Sequence, residues 1–400
     1  MKKIAKLSLV AAVAVAGFST ANAQPLEEAI KNVEVSGSVV YRYNDYNRDT
    51  VNTQAGQNSD TNNNYKVALN LSSKVNEDVK FNSRFIIGGA DSGFAGLDTQ
   101  DGNDQNVDVT LSHAYFGYTG LANTTVNVGK QGLTTPWTVA IDSDGAEQTG
   151  TGILALSTVG PVTLAAAYFN QTNLDNSGDF AGTLNALTKN GNAGSTDIVT
   201  VGAIANLNPV TLDAWYLDMA ETFDTYTIGA KADLDLSPVK LGIDARYASL
   251  DLDAANTPAH SMAKLVVTAK AGIVNGKLAY AMTDKDGGLT ALDNDANTTL
   301  LGWNLTSNNK TDADYWQAVL GVDVLSNLNL SANYGNLQWN PTTTTEREQE
   351  EIYAQLTYKM SKNLSTYIRY GLFDDELKAA GTKTEIADDV RGRLQVEYTF

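Results

Sequence analysis

The chain has 400 residues, no cysteine and a formal net charge of −18 at pH 7. The absence of cysteine excludes a disulfide scaffold and a thiolate metal site, and the acidic balance excludes nucleic acid as a partner. The mean hydropathy of −0.23 excludes a helical membrane protein but permits a membrane barrel, in which only alternate strand residues face lipid.

The N-terminus has the pattern of an export signal. Three lysines near the start precede the apolar stretch Leu7–Phe18, and residues 21–23 read Ala-Asn-Ala, the A-x-A form of a cleavage site. The apolar stretch is shorter than the roughly 20 residues that a spanning helix needs. We therefore expect a signal peptide over residues 1–23, cleaved after Ala23, and one mature domain over residues 24–400.

One unit recurs along the mature chain: a strand, a short turn, a second strand and a long polar loop. Within each strand apolar and polar residues alternate, which is typical of strands with one apolar and one polar face. The pattern predicts about 18 strands, an even number as in single-chain bacterial barrels. The predicted strands are Val33–Tyr43, Tyr65–Leu71, Val79–Ile87, Asp108–Tyr118, Thr124–Lys130, Gly152–Ser157, Val162–Phe169, Ile198–Ala205, Val210–Leu217, Tyr226–Leu234, Val239–Ser249, Ala263–Ala271, Lys277–Thr283, Tyr315–Val324, Leu328–Leu337, Ile352–Tyr358, Leu364–Leu372 and Val390–Phe400.

The connections between these strands fall into two classes. Short turns alternate with long loops rich in Asn, Asp, Gly and Thr, and a soluble sandwich has no reason to sort its loops this way. Short periplasmic turns and long extracellular loops are typical of outer-membrane barrels. The sequence therefore predicts an all-β protein, a transmembrane antiparallel β-barrel in the outer membrane of a Gram-negative bacterium. Its long loops are Asn44–Asn64, Gly88–Val107, Gln131–Gly150, Gln171–Thr196 and Asp284–Asp314.

The C-terminal strand supports the same fold class. Residues 394–400 alternate between apolar and polar without an error and end in an aromatic residue, Phe400. A terminal aromatic residue is the usual mark of substrates for the barrel-insertion machinery. We therefore predict Tyr398 and Phe400 as the insertion signal, against the alternative of an ordinary edge strand in a soluble sandwich.

The mature N-terminus resembles a known family. Residues 25–37, followed by Tyr-Arg-Tyr at residues 41–43, are similar to the Campylobacter-type major outer membrane porins. The resemblance implies a homotrimeric general-diffusion porin of an epsilonproteobacterial outer membrane, with one loop folded into the barrel. It also implies a calcium ion near the constriction, close to Asp142 and Asp144, although no cofactor is required. Shorter matches cover residues 6–12, 128–131 and 150–152.

The loop Gln131–Gly150 is the candidate for the inward fold. It follows the fifth predicted strand, where general porins fold a loop into the barrel, and it carries Asp142, Asp144 and Glu147. Acids are also normal in a solvated surface loop, which is the alternative interpretation. From its position and the resemblance we predict that the loop narrows the pore and makes the channel moderately cation-selective.

Arginine placement gives a second candidate feature. Of eight arginines, six fall in predicted strands, all on the polar face. An arginine facing lipid costs roughly 2–4 kcal/mol at the bilayer midplane, so these side chains should point inward and form a basic wall opposite the acidic loop. The alternative is that they only pair with lumenal acids such as Glu34, Asp244 and Glu397. The six are Arg42, Arg84, Arg246, Arg369, Arg391 and Arg393.

These features predict a porin that passes ions and small hydrophilic solutes, with outer-membrane lipid and the insertion machinery as partners. Enzymes are disfavoured, because outer-membrane lipases and proteases need a histidine base. His113 lies in a predicted strand without an obvious Ser or Asp constellation, and His260 lies in a predicted loop beside Pro258, so either is better explained as a plain barrel residue. A surface adhesin or antigen, with the long loops as the working part and the barrel as a mount, stays open as the alternative function.

Overall fold

The computed structural model describes most of the mature chain. No helix among the described residues is long and apolar enough to cross a membrane. The predicted signal peptide, residues 1–23 with its cleavage after Ala23, lies outside the described residues. The described residues are 32–49, 59–89, 92–97, 108–177, 179–254 and 257–400.

The described strands form one closed antiparallel sheet. Each long strand pairs with the next long one along the chain, and the first pairs with the last, so eighteen long strands close a barrel. One further strand has only two residues. It pairs with the second strand, next to the end of the third. The strands are β1 Val33–Asp49, β2 Ser59–Lys74, β3 Val79–Gly88, β4 Ala95–Gly96, β5 Asp108–Leu121, β6 Thr124–Gly132, β7 Thr149–Val159, β8 Val162–Thr172, β9 Ile198–Asn206, β10 Val210–Met219, β11 Phe223–Asp235, β12 Val239–Leu252, β13 His260–Ala271, β14 Val274–Thr283, β15 Asp314–Leu325, β16 Leu328–Thr342, β17 Thr345–Lys359, β18 Leu364–Ala379 and β19 Thr382–Thr399.

The predicted fold class and all of the predicted strands are confirmed. Several strands are longer than predicted at their loop ends, because side chains there are polar on both faces and the alternation disappears. The predicted loop Asn44–Asn64 shows this error, since β1 continues to Asp49 and β2 already begins at Ser59. Two polar strand ends pair there, with Asp45 opposite Thr61.

The two faces of the barrel differ in a way that alternation alone did not predict. The outward face carries exposed apolar side chains such as Val109, Leu278 and Leu320, which suits lipid contact. The inward face is not uniformly polar, however. On β10 the inward residues Leu217 and Met219 are buried in an apolar cluster inside the barrel, so the core of this protein lies within the lumen.

The chain end closes the barrel through its backbone. The N–H of Phe400 donates to the Gly37 carbonyl at 3.0 Å, and the N–H of Gly37 donates to the Phe400 carbonyl at 2.9 Å. The ring of Phe400 stacks on that of Tyr398, with 5.9 Å between centroids. A Cβ atom at Gly37 would lie 2.1 Å from the Ala68 carbonyl oxygen, so only glycine permits this close approach.

Candidate functional site inside the barrel

Three connections among the described residues fold back into the barrel. Inner loop 1, residues 133–148, joins β6 to β7. Inner loop 2, residues 173–177 and 179–197, joins β8 to β9 and includes the short helix Ala181–Leu187. Inner loop 3, residues 284–313, joins β14 to β15. Their apolar side chains pack against the inner wall in two clusters. The first, called the apolar cluster, includes Leu133, Trp137, Leu174, Leu184, Leu289 and Leu292 from the loops and Leu217, Met219, Phe223 and Leu250 from the wall. The second joins Leu300 and Leu305 of inner loop 3 to Tyr315, Leu337 and Phe373 of the wall.

The sequence prediction anticipated an inward fold for only one of these loops. The sequence predicts inner loop 3 as a long extracellular polar loop, yet Leu289, Leu292, Leu300 and Leu305 are all buried. Loops that stay in water have little reason to carry four leucines. That density of leucine within an Asn- and Asp-rich segment is the signal that could have identified the fold.

Inner loop 1 contacts the wall on opposite sides of the barrel. On one side Arg42 of β1 donates from Nη2 to the Ser143 carbonyl at 2.7 Å, and Lys66 of β2 donates to the Gly145 carbonyl at 2.6 Å. At its other end the fully buried Trp137 lies in the apolar cluster with β10 and β12, which are opposite β1 in strand order. The loop therefore crosses the barrel interior.

Glu147 anchors inner loop 1 to the wall. Its side chain is 0% exposed and forms ion pairs of 2.7 Å with both Arg84 and Lys66, and Ser112 donates a hydroxyl hydrogen bond to it. Burial alone would raise the pKa of Glu147, but the hydrogen bonds and charges of Arg84 and Lys66 outweigh burial and lower that pKa. This carboxylate is paired on both sides and closed to the lumen.

The other two predicted acids differ from Glu147 and from each other. Asp142 is buried and accepts a hydrogen bond from the Ala146 N–H at 2.8 Å, and burial raises its pKa to about 7. Asp144 is open, with a side chain 70% exposed. It lies 3.5 Å from Arg42 and 3.7 Å from Arg393, so it presents its charge to the lumen.

Inner loops 2 and 3 contribute acids that the sequence analysis did not single out. Asp293 accepts a hydrogen bond from the Gln148 amide at 2.8 Å, and burial raises its pKa to about 7. Asp295 accepts from both the N–H and the hydroxyl of Ser143 at 3.1 Å. These contacts join inner loops 1 and 3, and burial also raises the pKa of Asp179 in inner loop 2.

A second buried glutamate anchors inner loop 3. Glu351 of β17 accepts hydrogen bonds from the N–H groups of Trp303 at 2.9 Å and Asn304 at 2.8 Å. The Asn304 side chain in turn accepts from Arg391 at 2.6 Å, and the guanidinium of Arg369 lies 5.0 Å from the centre of the Trp303 ring. One carboxylate thus fixes the loop beside two of the predicted lumenal arginines.

Four of the six predicted arginines gather on neighbouring strands. Arg369 of β18 is the register partner of Arg393 on β19, Arg391 lies two residues earlier, and Arg42 is on β1, which closes the barrel next to β19. Arg393 donates from Nε to an asparagine of β1 at 2.7 Å. Its nearest carboxylate, that of Asp144, is 3.7 Å away, so this wall keeps positive charge facing the acids of the loops.

The alternative, that the arginines only pair with lumenal acids, describes Arg246, which lies outside this group, and Arg391, which belongs to it. Arg246 is buried on β12 and binds Asp213 at 2.8 Å. Arg391 binds Asp389 at 2.6 Å. Asp244, considered above as a partner, lies 3.2 Å from a lysine of β11 instead.

A polar cavity of about 250 Å³ lies between the acidic loops and the arginine wall. Residues of all three inner loops contribute to its lining, as do β1 and β19. Its charged lining residues are Asp144, Asp179, Asp295, Arg391 and Arg393. Asp144 lies within 3.7 Å of Arg393, whereas Asp179 and Asp295 line the cavity without forming an ion pair of 4.0 Å or less with either arginine.

The predicted calcium site near Asp142 and Asp144 lacks a recognisable set of metal ligands among the described residues. Among the described residues, no group of three or more His, Asp or Glu side chains is arranged to hold a metal ion. The carboxylate of Asp142 is occupied by the Ala146 N–H, and that of Asp144 faces two guanidiniums. Calcium near these residues stays a prediction.

Comparison with known sequences gives one family. Residues 1–400 match the family model described as the Campylobacter major outer membrane protein. No curated protein sequence matches the chain. The family match thus covers the entire sequence, including the segments that carry the inner loops.

Solved structures share the fold at low sequence identity. OccK5 (OpdH) of Pseudomonas aeruginosa is 18% identical with a TM-score of 0.70, over 92% of this chain and 98% of that one. OccAB3 of Acinetobacter baumannii is 13% identical with a TM-score of 0.72, over 92% and 99%. OccK2 (OpdF) of Pseudomonas aeruginosa, solved in complex with glucuronate, is 14% identical with a TM-score of 0.69, over 92% and 98%.

Proposed function

The chain belongs to the Campylobacter major outer membrane protein family, and we propose that it forms a water-filled channel that passes ions and small hydrophilic solutes by diffusion. The main support is the polar space that remains inside the barrel. The inner loops pack on apolar parts of the wall at β8 to β12 and at β14 to β19, and a polar cavity remains beside the arginines of β19. A barrel of this strand number is wide enough for an aqueous path.

Inner loop 1 narrows this path. The proposal rests on its contacts with Arg42 and Lys66 on one wall and with the apolar cluster on the other. Breaking a buried ion pair costs roughly 3–5 kcal/mol, so the pairs of Glu147 with Arg84 and Lys66 keep the loop in place while solutes pass.

The narrow path is moderately cation-selective. Asp144, Asp179 and Asp295 line one side of the cavity, and Arg391 and Arg393 line the other. Fixed negative charge in a narrow passage raises the local concentration of cations and lowers that of anions. The arginines reduce this preference without cancelling it, because Arg391 is already neutralised by Asp389.

The family and the outer surface support the proposed location, and the resemblance of the N-terminus supports the proposed trimer. Exposed apolar side chains on the outward face suit the outer-membrane lipid. The protein assembles there as a homotrimer, and the insertion machinery recognises Tyr398 and Phe400. The adhesin alternative loses support, because three of the long predicted loops turn inward and present less surface to other cells.

A planar-bilayer recording tests the channel. Purified folded protein should give stepwise single-channel conductance, and a KCl gradient should displace the reversal potential toward the equilibrium potential of potassium. Folded barrel that inserts without any conductance steps would remove the proposal and favour the adhesin. Native mass measurement in detergent tests the trimer separately, with monomer alone as the contrary result.

A further inference from the structure

The cavity between the inner loops and the arginine wall has the charge layout of a binding site. Its two faces have opposite sign, with Asp144, Asp179 and Asp295 on the loop side and Arg391 and Arg393 on the wall side. Among these groups only Asp144 and Arg393 lie within 4.0 Å of each other, at 3.7 Å. All five line an open volume of about 250 Å³, so each face can receive a partner from solution.

The wall side offers one uncommitted donor. Arg393 is held in place, because Nε donates to Asn44 at 2.7 Å and Nη2 donates to the Tyr46 hydroxyl at 3.3 Å. Its Nη1 is 3.7 Å from Asp144, which is too long for a hydrogen bond. Arg391 differs, since Asp389 and Asn304 occupy its nitrogens. A carboxylate from solution would therefore bind at Nη1 of Arg393.

The loop side has spare acceptors for a cation. Asp144 is largely exposed and makes only long contacts with guanidiniums. Asp295 uses Oδ2 for both hydrogen bonds from Ser143, which leaves Oδ1 unused. Three carboxylates thus face the cavity on this side, and an ammonium group, with three N–H donors, can form charge-assisted hydrogen bonds with them.

We propose that this cavity is a subsite for small zwitterions, namely free amino acids and dipeptides. A zwitterion can place its carboxylate on Arg393 and its ammonium group on the loop acids at once. A solute with a single charge gains one contact and is repelled by the other face. The volume lies below the roughly 300–1,000 Å³ of sites for drug-sized ligands, which suits solutes of this size. The inference deepens the proposed channel function and rests on it.

Current block by matched solutes tests the subsite. Glycylglycine carries both charges, N-acetylglycine keeps only the carboxylate, and glycinamide keeps only the ammonium group. Added to single channels in a planar bilayer, glycylglycine should interrupt the current at concentrations about tenfold lower than either of the others, as expected for one additional charge-assisted contact. Equal blocking by the three solutes would overturn the inference and leave the channel proposal intact.

Variants assign the block to the two faces. Arg393→Gln should weaken block by glycylglycine about tenfold and leave block by glycinamide unchanged or stronger. The double variant Asp179→Asn, Asp295→Asn should weaken glycylglycine and strengthen N-acetylglycine. Lys240→Gln is the matched control, because Lys240 lines a separate cavity and its neutralisation should alter neither. Heat-modifiable migration on a gel verifies that each variant is folded.

A binding measurement separates this inference from the channel itself. Saturation-transfer NMR on detergent-solubilised barrel should report binding of glycylglycine that Arg393→Gln weakens about tenfold. A barrel that binds glycylglycine but conducts no ions would refute the channel and retain the subsite. A barrel that conducts normally but shows no transfer to glycylglycine would refute the subsite alone.

Discussion

The guanidinium of Arg84 on β3 and the carboxylate of Glu147 in inner loop 1 form an ion pair of 2.7 Å in which the glutamate side chain is fully buried. Lys66 contributes a second pair at the same distance. The charge of Glu147 is therefore balanced locally. The two ion pairs join inner loop 1 to the strands β2 and β3 that form the wall.

Glu147→Gln should loosen inner loop 1 without unfolding the barrel. The change leaves Lys66 and Arg84 buried without an anionic partner, which costs roughly 3–5 kcal/mol for a broken buried pair. Single-channel recording should show larger and noisier conductance, and limited proteolysis should cleave inner loop 1 faster. Glu34→Gln is the control, since Glu34 is exposed and lies 3.8 Å from its lysine. Wild-type conductance in Glu147→Gln would contradict the anchoring role.

Glu351→Ala should release the part of inner loop 3 that carries Trp303 and Asn304. Both residues lose the carboxylate that accepts their backbone N–H groups, and a buried N–H without an acceptor costs roughly 1–3 kcal/mol. Conductance should rise and its fluctuations should increase. The adjacent Glu350 bonds the Tyr334 hydroxyl on the outward face, so Glu350→Ala is the matched control. Equal effects of the two variants would argue against a specific anchor.

Asp144→Asn and Arg393→Gln should shift ion selectivity in opposite directions. Asp144 presents an open carboxylate to the lumen, so its neutralisation should move the reversal potential in a KCl gradient toward anions. Loss of the Arg393 charge should move it toward cations. Both shifts should shrink above about 1 M salt, where the Debye length falls to roughly 3 Å.

The matched control for the selectivity variants is Asp224→Asn. Asp224 bonds the hydroxyl of Tyr216 on the outward face of β11, where its charge cannot act on ions in the lumen. The reversal potential of the Asp224→Asn channel should equal that of the wild type at every salt concentration. Unchanged low-salt selectivity in Asp144→Asn would show that inner loop 1 does not line the conducting path.

Cation selectivity should weaken as the pH falls from 8 to 5. Burial raises the pKa of Asp142 and of Asp293 from 3.8 to about 7, so both carboxyl groups are mostly charged at pH 8 and neutral at pH 5.

Because the pKa in the folded state exceeds that in the unfolded state, loop packing is tightest at low pH. The packing weakens as the pH rises from about 4 to about 7.

Reversal potentials measured at several pH values test this dependence. In the double variant Asp142→Asn, Asp293→Asn the reversal potential should change clearly less with pH. The change that remains is due to Asp179 and Asp295, whose pKa values are also raised. An unaltered profile in the double variant would place the titrating groups elsewhere.

Deleting Phe400 should reduce the yield of folded barrel while precursor processing stays normal. The deletion removes two backbone hydrogen bonds with Gly37 and the ring that stacks on Tyr398. Heat-modifiable migration of membrane protein measures the folded fraction. Phe400→Trp keeps an aromatic terminus and should fold nearly as well as the wild type. A full folded yield after the deletion would leave Phe400 without a role in assembly.

The strands could be predicted because their cause is local. Each strand must present apolar side chains to lipid at every second position. The alternation within a segment such as Leu328–Leu337 is therefore enough to identify it as a strand. Inward orientation of the arginines followed from the same parity. Strand ends beyond the membrane were missed, as at Ser59, because no lipid enforces alternation there.

The interior was decided by contacts between residues distant in sequence. The N–H of Leu292 in inner loop 3 donates to the Trp137 carbonyl in inner loop 1 at 2.8 Å, and no local pattern encodes that meeting. Asp144 and Glu147 are equivalent acids in the sequence, yet one faces the lumen and the other is sealed against Arg84. The sequence by itself determined the barrel, because lipid acts on each strand separately. Only the tertiary structure decided which charges face the passage, because that depends on how three loops and the wall pack together.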